Sequence, residues 1–219
     1  MNPPKSSNRS SSPSSHERGA FYNSSADTDK REGAFLPHWH QAGVILFITF
    51  RLAGSIPQSK LSSWSREKAQ WLRDNPEPHN DLKQAEYYKE FSARLQKWLD
   101  AGEGPMLFRD PALREIVETA LLFFDGERYL LDECVVAGNH VHALLVVKAG
   151  FELAGILHSW KSFTAKKILG KLREQERQIP ESSVWQQESW DHLVRSEASL
   201  KKFRLYIQRH GGSFRGKGF

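Results

Sequence analysis

Two histidines one residue apart, in Asn139-His140-Val141-His142, carry the clearest chemical potential in this 219-residue chain. They open a β-branched and aliphatic run over residues 141–148 that reads as a strand. Side chains alternate across a strand, so His140 and His142 share one face while Val141 points to the other. Two imidazoles so placed can hold one divalent ion. The same spacing also arises by chance, where an exposed strand face merely tolerates histidine. Imidazoles alone favour zinc or another transition metal; magnesium or manganese would want an oxygen ligand and substrate phosphates as well.

Tyr206 is the second chemical candidate. Lys202 lies four residues before it, Arg209 three after and His210 four after, all on one face of an expected last helix. Leu200, Phe203 and Ile207 mark an apolar stripe beside that face. A tyrosine among cations can be a nucleophile or a phosphate-binding hydroxyl. A free phenol has a pKa near ~10, so nucleophilic use needs positive charge or a metal nearby. A half-buried ring whose hydroxyl reaches water explains the residue equally.

Other clusters are less specific. His38-Trp39-His40 repeats the spacing but precedes the first expected strand, where a loop is predicted. Lys161, Lys166 and Lys167 fall among hydroxyls and aromatics on an expected helix and could meet phosphates, with Trp160 and Phe163 as core residues. The stretch from Trp185 to His192 is dense in hydrogen-bonding side chains between tryptophans, which a buried structural network explains as well as a functional one.

The elements that would position these residues can be read along the chain. Residues 1–34 are Ser-rich and polar, an expected disordered tail. Residues 42–52 form a strand, followed by an expected helical insertion over about 61–104, with helices at 61–73 and 81–99. A helix follows at 112–124, entered through Pro111. Strands at 128–137 and 141–148 flank a Gly138-Asn139 turn. Then come a long helix at 151–173, a strand-like stretch at 184–194 and a last helix at 197–209, capped by Ser196 and ended by Gly211-Gly212. This order predicts an α+β fold, a ferredoxin-like antiparallel sheet sandwiched by helices. The domain is expected over 35–213, with a short basic tail at 214–219.

Composition bounds the rest. At 39% hydrophobic with 13 Phe and 7 Trp, the chain can build a core. The longest apolar run falls well short of the ~20 residues of a membrane helix, and no export segment is evident, so a cytoplasmic protein is expected. One cysteine, Cys134, excludes a disulfide framework and a CxxC zinc site. The net charge of +5 is uneven: residues 151–219 hold 13 Lys/Arg against 7 Asp/Glu, while residues 1–150 nearly balance. That asymmetry points to a polyanionic partner.

Taken together, PHWH before FITFRL, then FFDGERYLL, NHVHALLVV, HSWKSFTAKKI, VWQQESWDHLVR and YIQRH, the chain resembles the REP-associated tyrosine transposases. These are a branch of the single-tyrosine HUH nucleases, or IS200-like transposases. The resemblance spans about residues 36–210. It implies that His140 and His142 are metal ligands for Mg²⁺ or Mn²⁺, with Tyr206 as nucleophile. It implies cleavage of single-stranded DNA at hairpin-forming repeats through a 5′-phosphotyrosine link. It further implies DNA contacts from Lys161, Lys166, Lys167, Arg195, Lys202 and Arg209, a nucleoid location, and a monomer or homodimer.

Two departures stand out. Relatives place Asn-Pro after the tyrosine, with the Asn four residues on as a third ligand or its support; here that position is His210, followed by Gly211, and its imidazole is expected to serve as the third metal ligand, with a changed metal preference. The familiar Met-Pro before Asn139 is Ala137-Gly138, which should alter only the turn. A domesticated DNA-hairpin-binding protein without catalysis is the alternative reading.

Overall fold

The computed structural model describes residues 19–23, 29–32, 37–76, 79–177 and 183–219. The elements in chain order are strands β1 (Asp29–Glu32), β2 (Pro37–His40) and β3 (Ile45–Leu52), then helices α1 (Gln58–Asp74), α2 (Asp81–Tyr87) and α3 (Arg94–Asp100). They continue with α4 (Pro111–Phe123), β4 (Tyr129–Val136), β5 (His140–Val147), α5 (Leu153–Glu174), β6 (Trp185–Leu193), α6 (Glu197–Arg209) and β7 (Phe214–Arg215). A π-helical turn, Tyr88–Ala93, joins α2 to α3.

Five strands form one antiparallel sheet in the order β6-β3-β5-β4-β7. The sequence β3-α4-β4-β5-α5-β6, with β3 and β5 central, is the split βαβ arrangement expected for a ferredoxin-like fold. Both central strands are buried along their whole length, and their runs ILFITFRL and HVHALLVV are correspondingly apolar on both faces.

Two cores result, one per face. On the first, Val141, Ala143 and Leu145 of β5 pack with Leu113, Val117 and Leu121 of α4 and with Ile156, Trp160 and Ile168 of α5. On the second, Leu144 and Val146 of β5 and Ile45 and Phe47 of β3 pack with Leu200, Phe203 and Ile207 of α6. The alternation along β5 therefore puts His140 and His142 on the α6 face. The three α6 side chains contribute ~1.5–3 kcal/mol each on burial, enough to dock a helix whose opposite face is charged.

Local signals set the helix ends. Asp110 accepts a hydrogen bond from the Ala112 amide at 3.0 Å with Pro111 in the first turn of α4. Ser196 caps α6 through the Ser199 amide at 3.2 Å, and Gly211 and Gly212, at φ of 66° and 68°, turn the chain away after it.

The insertion after β3 packs around a separate aromatic cluster of Trp64, Phe91, Leu95 and Leu99. The helix expected over 81–99 is one continuous rod, but its middle turn is π-helical. The extra residue changes the helical phase: Tyr88 joins the core under α6 while Phe91, Leu95 and Leu99 face Trp64.

Three expectations need correction. Residues 38–40, read as a loop, lie in β2, which pairs with β1 in a two-stranded ribbon; the pairing, not the propensity of these short segments, makes them strands. Of the expected tail over 1–34, residues 1–18, 24–28 and 33–34 lie outside the described residues. Within it, β1 is a strand, and the Ala20 amide bonds to the Gly43 carbonyl at 2.9 Å, alongside the sheet. The expected basic tail at 214–219 instead begins with β7, which extends the sheet beside β4.

Candidate metal and tyrosine site

His140, His142, His210 and Asp100 converge, each offering one ligand atom, and these atoms lie within 4.8 Å of one another. Three elements deliver them. β5 supplies the histidine pair, His210 caps the C-terminus of α6, and α3 ends at Asp100. Tyr206, one helical turn before His210, stands over the group. Its hydroxyl donates to the Asp100 carboxylate, 3.2 Å from both oxygens, and lies 3.2 Å from His142 Nε2. Phe47 stacks on His142 at 5.3 Å between centroids and meets the Tyr206 ring edge-on at 6.2 Å, fixing both.

The outer ring nitrogens are held from behind. His140 Nδ1 is 2.7 Å from Asn139 Oδ1, and since that oxygen only accepts, Nδ1 carries the proton. His140 Nε2 is then a bare lone pair, and it is buried with no hydrogen-bond partner. It lies 3.7 Å from Asp100 Oδ1, and His210 Nε2 lies 3.6 Å from the same oxygen. His142 Nδ1 is 2.7 Å from Thr49 Oγ1, an arrangement that likewise orients Nε2 inward.

Burial, with His210 nearby, lowers the His140 pKa to about 3. Burial, then His140 and His210, holds His142 well below its usual range. Both imidazoles are neutral at pH 7, the state in which histidine ligates. Burial raises the Asp100 pKa against the opposing effects of His210 and the Tyr206 hydrogen bond. Tyr206 is pushed up from its ordinary value by burial, then by the Asp100 charge and by donating to it. The residues thus fit a divalent cation: three imidazole donors, a hard carboxylate, and one buried lone pair with nothing to satisfy it. Asp100 offers the oxygen donor that a hard divalent cation would require.

Asp100 was not visible as a ligand in the sequence. One signal could have found it: an acidic residue at a helix C-terminus opposes the helix dipole and is disfavoured unless it has another partner. Arg51, paired with His140 in the β3–β5 register, is also buried on this face, but it bonds Ser55 Oγ at 3.0 Å and lies over the Trp190 ring.

The expected DNA-contacting cations divide. Lys202 and Arg209 are exposed on α6 beside Tyr206. Arg195 lies after β6, reaching Gln84 at 3.3 Å and lying over the Tyr22 ring. Lys161, Lys166 and Lys167 are on α5, across the sheet from the histidines, because α5 packs on the Val141 face. They do not flank the site. Lys161 is further committed to the Gln186, Gln187 and Glu188 carbonyls at 3.1, 3.0 and 3.4 Å, with its pKa lowered to about 8 by burial.

The βαββαβ sheet thus carries two strand imidazoles under a helix-borne tyrosine. Residues 108–210, from the turn before α4 to His210, match the family described as Transposase IS200 like. Among solved structures, the chain is similar to a REP-associated tyrosine transposase bound to a REP hairpin, at 12% identity over 80% of this chain and 72% of that one, with a TM-score of 0.35. It is similar also to a protein of Deinococcus radiodurans R1 described as a transposase, at 12% identity over 76% of this chain and 90% of that one, with a TM-score of 0.33. No curated protein matches. Among the described residues no helix is long and apolar enough to cross a membrane.

Proposed function

We propose that the protein is a divalent-metal-dependent endonuclease and strand transferase for single-stranded DNA at hairpin-forming repeats, of the REP-associated type, with Tyr206 as nucleophile. The observation that carries this reading is the Tyr206 hydroxyl, 3.2 Å from His142 Nε2 and from both Asp100 oxygens. The phenol oxygen attacks a phosphodiester phosphorus, the P–O3′ bond breaks, and the products are a 5′-phosphotyrosine and a free 3′-hydroxyl. The Asp100 carboxylate accepts the phenol's hydrogen bond and is placed to take its proton, which passes finally to the departing O3′.

His140, His142, His210 and Asp100 would hold the metal. Bound there, a divalent cation supplies positive charge that polarises the scissile phosphate and favours the phenolate. The protein ligands keep Asn139 and Thr49 behind them, so the imidazoles are held in orientation before DNA arrives. Lys202 and Arg209 offer phosphate contacts on the open side of α6. The covalent link conserves the energy of the broken ester, so rejoining needs no nucleotide cofactor.

The test uses single-stranded oligonucleotides from the hairpin-forming repeats beside the gene, labelled at either end, with Mg²⁺ or Mn²⁺. The 3′-labelled strand should appear in a denaturation-resistant protein adduct, and the 5′-labelled fragment should be released. Salt-sensitive binding with no adduct would instead identify a hairpin-binding protein without catalysis.

A further inference from the structure

A cavity of about 120 Å³ lies between the insertion helices and the α6 face of the sheet, against the outer side of Thr49 and Phe47. By a measure in which one water needs ~10–15 Å³ it is spacious. In the sheet, Trp190 pairs with Thr49 and Thr49 pairs with His142. The cavity wall at Trp190 is therefore two strand spacings, about 10 Å, from the histidine cluster. An extended single strand bridges that gap with a nucleotide or two.

The lining is aromatic and under-satisfied. Trp64 and Tyr88 provide aromatic walls, and Trp190 lines the cavity beside them. The Trp190 Nε1–H and the Arg195 Nε–H are buried donors with no acceptor. Two further polar contacts at the cavity are long: Tyr88 donates to Gln96 at 3.3 Å, and the Arg195 guanidinium donates to Gln84 at 3.3 Å. His192, also in the wall, lies edge-on to Tyr88 at 5.8 Å. Flat apolar walls with donors lacking acceptors suit a planar ring that carries acceptors along its edge.

We propose that this cavity takes up one unstacked nucleobase of the DNA strand, gripped between aromatic rings and read along an acceptor-bearing edge by Trp190 and Arg195. The inference rests on the nuclease reading for the identity of the strand. Base stacking on aromatic side chains tolerates any base. Hydrogen bonds from an arginine favour a guanine edge. The insertion thereby has a second role besides delivering Asp100: its helices close the wall of a base-binding site.

The test titrates the intact protein, in EDTA, with each of the four deoxynucleoside 5′-monophosphates, and with 2-deoxyribose 5-phosphate as the base-free control. Tryptophan fluorescence and the Trp190 indole N–H resonance are the readouts. Saturable binding of at least one nucleotide, no matching response to the sugar phosphate, and at least tenfold weakening in Arg195→Gln and in Trp190→Phe are expected. Equal responses to nucleotide and sugar phosphate, no saturable binding, or unchanged affinity in both variants would overturn the proposal. If a variant fails to fold by thermal melting, the wild-type indole shift decides. The assay requires neither metal nor cleavage. Failure of nucleotides to bind leaves the Tyr206 adduct test untouched, and absence of adduct leaves the nucleotide result standing.

Discussion

The Tyr206 hydroxyl and the His142 Nε2 meet at 3.2 Å, one from the last helix and the other from a central strand 64 residues earlier. Neither position is free to drift. His142 is fully buried and held by Thr49, and α6 is tied to the sheet by side chains on either side of Tyr206.

Removing the phenol oxygen tests the nucleophile with little risk to the fold. In Tyr206→Phe the ring keeps its contacts with Phe47 and His142, and the change in stability should stay within about 1 kcal/mol. Covalent attachment to labelled oligonucleotide should vanish on a denaturing gel, while hairpin binding in a gel-shift assay remains. A variant that nicks as well as the parent would remove Tyr206 from the mechanism.

Metal binding can be followed without any reaction. Mn²⁺ should raise the melting temperature of the parent, since a ligand bound only by the folded state stabilises it. The His140→Ala/His142→Ala variant should lose this response. Asp100→Asn should weaken Mn²⁺ binding roughly tenfold or more by calorimetry, because one hard anionic ligand is gone. An undiminished Asp100→Asn affinity would exclude the carboxylate from the ligand set.

The anchoring of α6 makes a separate prediction. Arg204 Nε donates to the largely buried Asp132 carboxylate at 2.6 Å, two residues before Tyr206, and Gln208 donates to Glu133 at 2.9 Å, two residues after. Arg204→Gln should cost about 2–3 kcal/mol in urea unfolding, because it leaves an uncompensated carboxylate near the interior. Adding Asp132→Asn should recover part of the loss. If the double variant is no better than the single, the pair is not what holds the helix.

Acid should destabilise the protein before its carboxylates titrate. Burial, aided by Arg195, lowers the His192 pKa to about 4, against ~6.5 when unfolded. Between these values the unfolded chain binds more protons, so stability is present above about pH 6.5 and is lost as pH falls toward 4. His192 alone should account for about 2 kcal/mol between pH 7.5 and 5. Urea unfolding of His192→Gln should show a shallower pH slope, and an unchanged slope would mean that His192 titrates normally in the fold.

Much of this arrangement was legible in the sequence, and the exceptions have physical reasons. The hairpin of β4 and β5, the span of α6 and the grouping of Tyr206 with His210 follow from short-range rules: two-residue alternation, one-turn spacing, a serine cap and a glycine stop. Asp100 does not, because its place is set by how the insertion packs on the sheet, through contacts of Phe91 and Leu95 with Trp64 of α1 and Trp190 of β6, both distant in sequence. The position of α5 escapes for a similar reason. Local pattern shows that Lys161, Lys166 and Lys167 share a helix, but the path of the chain over the sheet decides which face that helix covers. Basic charge concentrated after residue 150 is thus split between two sides of the molecule. Only the α6 portion lies near the histidines.

The four candidate ligand atoms come from the end of the insertion, from a central strand and from the end of the last helix, and the tyrosine comes from that same helix. A nascent chain exposes its histidine pair well before α6 has been made, and a chain whose last helix has come undocked still keeps its imidazoles. Neither has a phenol in reach of them. On the proposed mechanism, reactivity toward DNA is therefore conditional on a finished fold, and loosening one helix is enough to disarm the protein.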